Sequence, residues 1–212
     1  VKKALISHGH SDHSRLGHGR YITPKKNVPI IRHRLGEIQV TGVDWNESVQ
    51  IGGVKFSFHP AGHIIGSSQI RADYKGEVWV FSGDYKSEDD GLATPYEPVR
   101  CHTFITECTF GLPAVSWRPQ EEVMGQINTW WATARNEGRT AVLFAYSLGK
   151  AQRLLSLLDT SIGEIYTHGA IENMNEVLRE VAPLPPTRRI TRETGKKELA
   201  GNLVLAPPSA HG

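Results

Sequence analysis

Four metal-competent side chains fall within the six residues His8-Gly9-His10-Ser11-Asp12-His13, directly after a short apolar run (residues 3–6) that ends at Ser7. The apolar run reads as a buried strand and the His-rich segment as the turn that leaves it. A turn of this kind aims alternate side chains into one cavity while the strand keeps the base rigid. The H-x-H-x-D-H pattern therefore restricts the fold to one that ends a buried strand at a polar cavity. Imidazoles with a carboxylate suit zinc or a similar divalent ion, and mixed nitrogen and oxygen ligation without thiolate is typical of catalytic sites. With ten histidines in 212 residues, an isolated pair would mean little. The full pattern is more than a His-rich surface loop.

Two later residues extend the cluster. His63 lies in Pro60-Ala61-Gly62-His63, after the apolar strand VKFSF, and Asp84 lies in Ser82-Gly83-Asp84, after the strand EVWVF. Either residue alone would read as structural, the aspartate as a turn residue. Delivered at strand ends after the first motif, they read as further ligands.

The rest of the chain limits the alternatives. No run of about 18 apolar residues occurs, so no membrane span is expected. The opening VKKALIS lacks the apolar segment of a signal peptide, and a chain starting on Val1 is expected to have lost earlier residues. A cytoplasmic location is the expectation. Cys101 and Cys108 are expected to be reduced thiols, because their spacing is not that of a zinc finger. A net charge of +2 and a pI of 8.6 permit a nucleic-acid substrate without arguing for one.

Residues 28–35 read as a short helix, SVQIGGVKFSF as a hairpin about Gly52-Gly53, and residues 67–73 with 77–82 as a second hairpin about Lys75-Gly76. Residues 103–107 read as another strand. From Pro119 onward strands and helices alternate. A helix with Val123, Ile127, Trp130 and Ala134 on its apolar face stops at Gly138. A strand (140–145), a helix (149–158), a strand (164–167), a helix (171–181) and a strand (202–206) follow. Alternation of this kind indicates a parallel α/β domain. The boundary is expected near Gly111-Leu112-Pro113, dividing the chain into domains 1–111 and 112–212.

The order H-x-H-x-D-H, a later histidine after a strand, then S-G-D after another, resembles the metallo-β-lactamase superfamily. Glu107 in Ile105-Thr106-Glu107-Cys108-Thr109, and the segment from Leu143 to Gln152, resemble the β-CASP nuclease branch with its inserted domain. The runs Phe58–His63, Val80–Lys86 and Cys101–Glu107, with Tyr166–Ala170 and Leu205–Ser209, look most like the bacterial ligase-associated DNA exonucleases. The resemblance covers essentially the whole chain. It implies an αββα metallo-β-lactamase sandwich, incomplete at both ends, carrying an inserted β-CASP-like parallel α/β domain. It further implies two divalent metal ions, zinc foremost and manganese second. His8, His10 and His63 would hold one ion, Asp12 and His13 the other, and Asp84 would bridge them.

The implied activity is phosphodiester hydrolysis by a two-metal-activated hydroxide, with Asp12 and Glu107 as catalytic residues. DNA is favoured over RNA as substrate, in repair coupled to an ATP-dependent DNA ligase and a helicase. An RNA-processing nuclease of the same branch, a thioester or lactam hydrolase and a binding subunit without catalysis are the competing readings. Ser147, Gly149 and Lys150, at a helix start, are candidate substrate-phosphate contacts. Arg188, Arg189 and Arg192 could line a nucleic-acid path, although a solvated loop is the simpler account. His168 reads as structural or substrate-facing, and His211, after Pro207-Pro208-Ser209, is not read as a ligand. The family's later histidine motifs lie beyond Gly212, so this piece alone is expected to show little activity.

Overall fold

The apolar run before His8 forms strand β1 (Ala4–Leu5), and the His-rich turn returns to start β2 (Tyr21–Pro24) beside it in parallel. In this computed structural model, residues 1–112, 114 and 116–210 are described; Pro113 of the expected boundary and His211 fall outside them. The chain divides into two compact units, Val1–Pro113 and Ala114–Gly212.

In the first unit, helix α1 (Val28–Leu35) carries the chain from β2 back to β3 (Val40–Val43), completing the parallel sheet β1-β2-β3. The helix has Pro at its start, where a missing N–H costs nothing, and ends at Gly36. The sequence placed α1 but left residues 21–24 and 40–43 unassigned. Each of those strands is four residues long and lacks a strong alternation, so little in it speaks for a strand until its neighbours are in place.

A second sheet of five strands has the order β4-β5-β6-β7-β8, with β4 Ser48–Ile51, β5 Val54–Pro60, β6 Ser68–Tyr74, β7 Glu77–Phe81 and β8 Thr103–Ile105. Both expected hairpins are present. Their turns, Gly52-Gly53 and Lys75-Gly76, have positive φ at both central residues (56°, 83° and 53°, 87°), the primed geometry that matches strand twist. Strand β8 pairs in parallel with β7 and is shorter than the expected 103–107.

The two sheets pack face to face through Ile22, Val43 and Phe58, while Ile6, Tyr21 and Ile31 seal α1 onto the outer face of the parallel sheet. The layers run helix, sheet, sheet.

The second unit is a four-stranded parallel sheet. Its elements are α2 (Gln120–Asn136), β9 (Ala141–Phe144), α3 (Lys150–Leu157), β10 (Ile165–Thr167), α4 (Gly169–Leu178), β11 (Arg188–Arg189), α5 (Lys196–Leu199) and β12 (Leu203–Ala206). The sheet order is β11-β10-β12-β9, so the last strand inserts between two earlier ones. The core is built from Met124, Trp131, Ala134, Leu155, Ile171, Leu203 and Leu205 among others.

Here one expectation is corrected. Trp130 is 42% exposed, and Trp131, fully buried, is the core residue. The stripes Val123-Ile127-Trp130-Ala134 and Met124-Ile127-Trp131-Ala134 share two positions, and packing against β9 and β12 selects the second.

Beneath this core a buried polar chain ties the unit together. The Glu172 carboxylate accepts from Thr167 and Thr187 (2.5 Å each) and from Arg179 (2.8 Å). Asn175 and Gln152 continue the chain to the carbonyl of Ser147 and the N–H of Gly149.

Candidate metal centre

Three strand ends deliver the cluster. The end of β1 supplies Ser7 and His8, the end of β5 leads into Gly62-His63, and the end of β7 leads into Ser82-Gly83-Asp84. Strand β1 belongs to the parallel sheet and the other two to the mixed five-stranded one. They meet because Ser68, at the start of β6, donates both its N–H and its hydroxyl to the carbonyl of Ser7 (2.9 Å each). Gly62 is required where it stands. Its φ is +71°, and a Cβ there would collide with the Lys86 carbonyl oxygen and crowd Tyr96. Glycine thus lets the segment after Asp84 lie against the His63 turn, where Lys86 N–H donates to Ala61 (2.9 Å). The turn is closed by the Ser67 hydroxyl, which accepts from the N–H groups of His63 (3.0 Å) and Ile64 (3.1 Å).

Four donor atoms converge. His8 Nε2 lies 3.1 Å from His10 Nδ1, and His10 Nδ1 lies 3.4 Å from His63 Nε2. Asp84 Oδ2 is 3.5 Å from His8 Nε2 and 3.7 Å from His63 Nε2. All four donors fall within 4.8 Å of one another. A tetrahedral zinc ion with bonds of about 2.0–2.1 Å requires donor separations of roughly 3.3 Å, so the set fits such an ion. Without a cation, three imidazole nitrogens and a carboxylate oxygen facing one point repel or must share protons. The set also holds its protonation states suitably. Burial, then the neighbouring His8 and His10, lowers the pKa of His63 from 6.5 to about 4. Burial also lowers that of His8. The hydrogen bond from His8 lowers the pKa of Asp84 to about 2. At neutral pH His8 and His63 are neutral and Asp84 is charged, the forms that bind metal. The Ser7 hydroxyl lies 3.1 Å from His8 Nδ1 and orients the ring so that Nε2 faces the cluster.

Asp84 looks in two directions. Its Oδ1 lies 3.3 Å from His13 Nε2, which in turn is 3.6 Å from Asp12 Oδ2. Among the described residues the converging four-donor group is His8, His10, His63 and Asp84. Asp12 stands at its margin with 67% of its side chain exposed. Glu107 is half-buried, hydrogen-bonded through its own carboxylate to the Thr109 N–H (2.5 Å), and close enough for its charge to act on His63. Ser7, Ser67 and the buried Asn27, which packs beneath Gly9 and Gly66, went unremarked in the sequence. Nothing in their residue types sets them apart; the serines follow or precede glycine and histidine, and only that adjacency could have drawn attention.

In the second unit the candidate substrate residues are partly committed within the protein. Gly149 N–H donates to the Gln152 side chain (2.8 Å), and Arg153 is bonded to Gln120 (2.5 Å). The Lys150 ammonium sits 5.2 Å over the Tyr146 ring, and Ser147 contributes its carbonyl to Gln152. Arg188 and Arg189, candidates for a nucleic-acid path, are instead paired with Glu164 (2.8 Å) and Glu176 (3.1 Å). His168 caps α4, its Nδ1 accepting from Ala170 N–H (3.2 Å). Cys101 and Cys108 are free thiols.

The depressed pKa values set a sign for stability. Between pH 6.5 and about 4 the metal-free folded chain binds fewer protons at His63 than the unfolded chain does. Stability should therefore fall as pH is lowered through that window. It should fall further as Asp84, stabilising above the unfolded carboxylate range, protonates towards pH 2. Urea midpoints of chelator-treated protein at pH 7 and pH 5 check this; a higher midpoint at pH 5 would contradict it.

No protein-family model matches the chain. It is 29% identical over 214 aligned residues, 99% of this chain, to a protein of Opitutus terrae named as a probable DNA ligase, and covers 20% of that protein. It is 32% identical over 123 residues, 57% of this chain, to the endoribonuclease ysh1 of Schizosaccharomyces pombe, covering 16% of it. The endoribonuclease ysh-1 of Neurospora crassa is 30% identical over 130 residues, 59% of this chain and 15% of that protein. The chain thus spans a fifth or less of the length of these relatives. Among solved structures, a protein of unknown function from Enterococcus faecalis V583 superposes with a TM-score of 0.68 at 15% identity. That superposition covers 96% of this chain and 58% of the other. It speaks for the fold alone.

Proposed function

We propose that this chain is the metal-binding part of a nuclease of the metallo-β-lactamase superfamily, β-CASP-like branch, acting on DNA ends in ligase-associated repair. The observation that carries the reading is Asp84, with one carboxylate oxygen facing the three-histidine pocket and the other facing His13. His8, His10, His63 and Asp84 would hold one ion, and Asp84, His13 and Asp12 a second, zinc foremost and manganese second. When bound, such ions would supply an activated water and neutralise charge on a phosphodiester. The chain's own part is to hold neutral imidazoles in fixed orientation and keep Asp84 ionised. Asp12, exposed at the margin, is placed to accept a proton from the attacking water. Glu107 acts through the site's histidines rather than on substrate, since its charge reaches His63. Ser147 and Lys150 are proposed contacts to the nucleic-acid backbone in the second unit. Gly149 contributes the turn that presents them.

Likeness over the whole chain to a protein named as a DNA ligase supports DNA as substrate. The second reading, an RNA-processing nuclease, is favoured by the likeness of more than half the chain to endoribonucleases. End-labelled DNA and RNA strands, single and double, incubated with the full-length protein and Zn²⁺ or Mn²⁺, separate the two. Cleavage of DNA at least tenfold faster than RNA is expected. The opposite preference overturns the substrate, and cleavage that persists in excess chelator overturns the metal.

A further inference from the structure

The chain's small net charge of +2 hides a strong asymmetry. Residues 1–36 contain eight Lys and Arg against one acidic residue, Asp12, while the remainder has 16 basic and 21 acidic residues. The eight, Lys2, Lys3, Arg15, Arg20, Lys25, Lys26, Arg32 and Arg34, are all exposed. Among the described residues Lys25 is the one of them in an ion pair, with Asp44. In the rest of the chain basic residues are commonly neutralised, as at Arg71–Asp73, Lys86–Asp90, Arg118–Glu122, Arg179–Glu172 and Arg188–Glu164.

The fold gathers these charges at one end. Strands β1 and β2 run in parallel with Ala4 opposite Tyr21, so Lys3 and Arg20, the residues before them, start adjacent strands. Helix α1 runs back along the sheet, and Leu35 in its last turn packs in one cluster with Ala4 and Val40, at the starts of β1 and β3. Its last turn therefore sets Arg32 and Arg34 at the end where Lys3 and Arg20 lie. His8 leaves the opposite end of β1. At about 3.3 Å per strand residue, the five residues from Lys3 to His8 span roughly 16 Å, the length of about five phosphates along one strand of a duplex.

We propose that this basic end, formed by Lys3, Arg20, Arg32 and Arg34, docks the phosphate backbone of a nucleic-acid strand outside the metal centre. The identity of the polyanion rests on the nuclease reading; the surface itself rests on charge and topology. Four exposed cations that form no ion pair among the described residues keep most of their field, with Glu37 the acidic residue nearest in sequence. That field attracts a polyanion and makes its binding steeply salt-dependent. Three of the four are arginines, whose planar fork matches phosphate oxygens in pairs.

The test is fluorescence anisotropy of a labelled 20-nucleotide DNA strand titrated with the full-length protein from 50 to 300 mM KCl. The variant Lys3→Gln/Arg20→Gln/Arg32→Gln/Arg34→Gln should bind at least ~10-fold more weakly at the low end of that range, with a log–log salt slope shallower by about 2–3. Its unfolding midpoint should match the wild type, because every substituted side chain is exposed. A variant of three paired arginines, Arg118→Gln/Arg139→Gln/Arg188→Gln, should bind within about twofold of the wild type. Hydrolysis of bis(p-nitrophenyl) phosphate, too small to reach the basic end, should be equal in wild type and fourfold variant. An unchanged affinity and slope in the fourfold variant overturns the docking surface. So does capture by phosphatidylserine–phosphatidylcholine vesicles that the DNA strand does not displace. A full-length wild type that binds the strand through these residues but never cleaves it with Zn²⁺ or Mn²⁺ upholds the surface and overturns the nuclease reading.

Discussion

Replacing Asp84 by alanine is expected to reduce phosphodiester hydrolysis by roughly three orders of magnitude and to weaken the binding of a second ion most. The size follows from geometry. Asp84 is the negative charge shared by the pocket of His8, His10 and His63 on one side and His13 on the other. Three neutral imidazoles can still hold one ion, but without Asp84 only His13 and the exposed Asp12 face the second position. Asp84→Asn keeps the shape and loses the charge, so it should lie nearer to alanine than to the wild type. Metal content by mass spectrometry after dialysis, together with turnover on a labelled strand in the full-length protein, measures both effects. Activity within tenfold of the wild type in either variant would remove Asp84 from the mechanism. If metal stoichiometry stayed unchanged while activity fell, the bridging role would fail but the catalytic one would stand.

Trp131→Ala should destabilise the second unit by about 3–5 kcal/mol, the cost of emptying a large buried aromatic site. Trp131 has no exposed surface and packs among Met124, Ala134, Leu155 and Leu203. Among the described residues its buried indole N–H has no hydrogen-bond partner. Trp131→Phe should therefore cost much less, about 1–2 kcal/mol, since no hydrogen bond is lost with the nitrogen. Trp130→Ala, at a largely exposed position, should fall within about 0.5 kcal/mol of the wild type. Urea unfolding followed by circular dichroism ranks the three. Equal losses at positions 130 and 131 would contradict the packing.

This pair of neighbours shows what the sequence could not settle. Both tryptophans belong to apolar stripes of helical period, and only the sheet beneath them selects one stripe. The same holds for β2 and β3, four-residue strands whose pairing comes from residues far off in sequence. Local chemistry was legible. The hairpin turns announced themselves through Gly52-Gly53 and Lys75-Gly76, and the convergence of His8, His10, His63 and Asp84 through metal-competent residue types at strand ends. Legibility stopped at the supporting groups. The Ser68 hydrogen bonds to Ser7 and the Asn27 packing under Gly9 depend on contacts between segments that sequence spacing does not relate. The pairing of Arg188 and Arg189 with glutamates is equally a matter of three dimensions, as is the lack of ion pairs at Arg32 and Arg34 among the described residues.

The delivery of the four donors from two different sheets has a mechanical consequence. His8 and His10 hang from the three-stranded parallel sheet, and His63 and Asp84 from the five-stranded one. A cation held by all four is a rivet through both layers, closing a loop of more than fifty residues between His10 and His63 as a cross-link would. Its removal would free the layers to slide against each other at the rim, while Ile22, Val43 and Phe58 still grip deeper in. Amide exchange should thus quicken first along the end of β1 and the starts of the turns after β5 and β7, well before the sheets part. The catalytic apparatus of such a protein would double as the latch of its own scaffold.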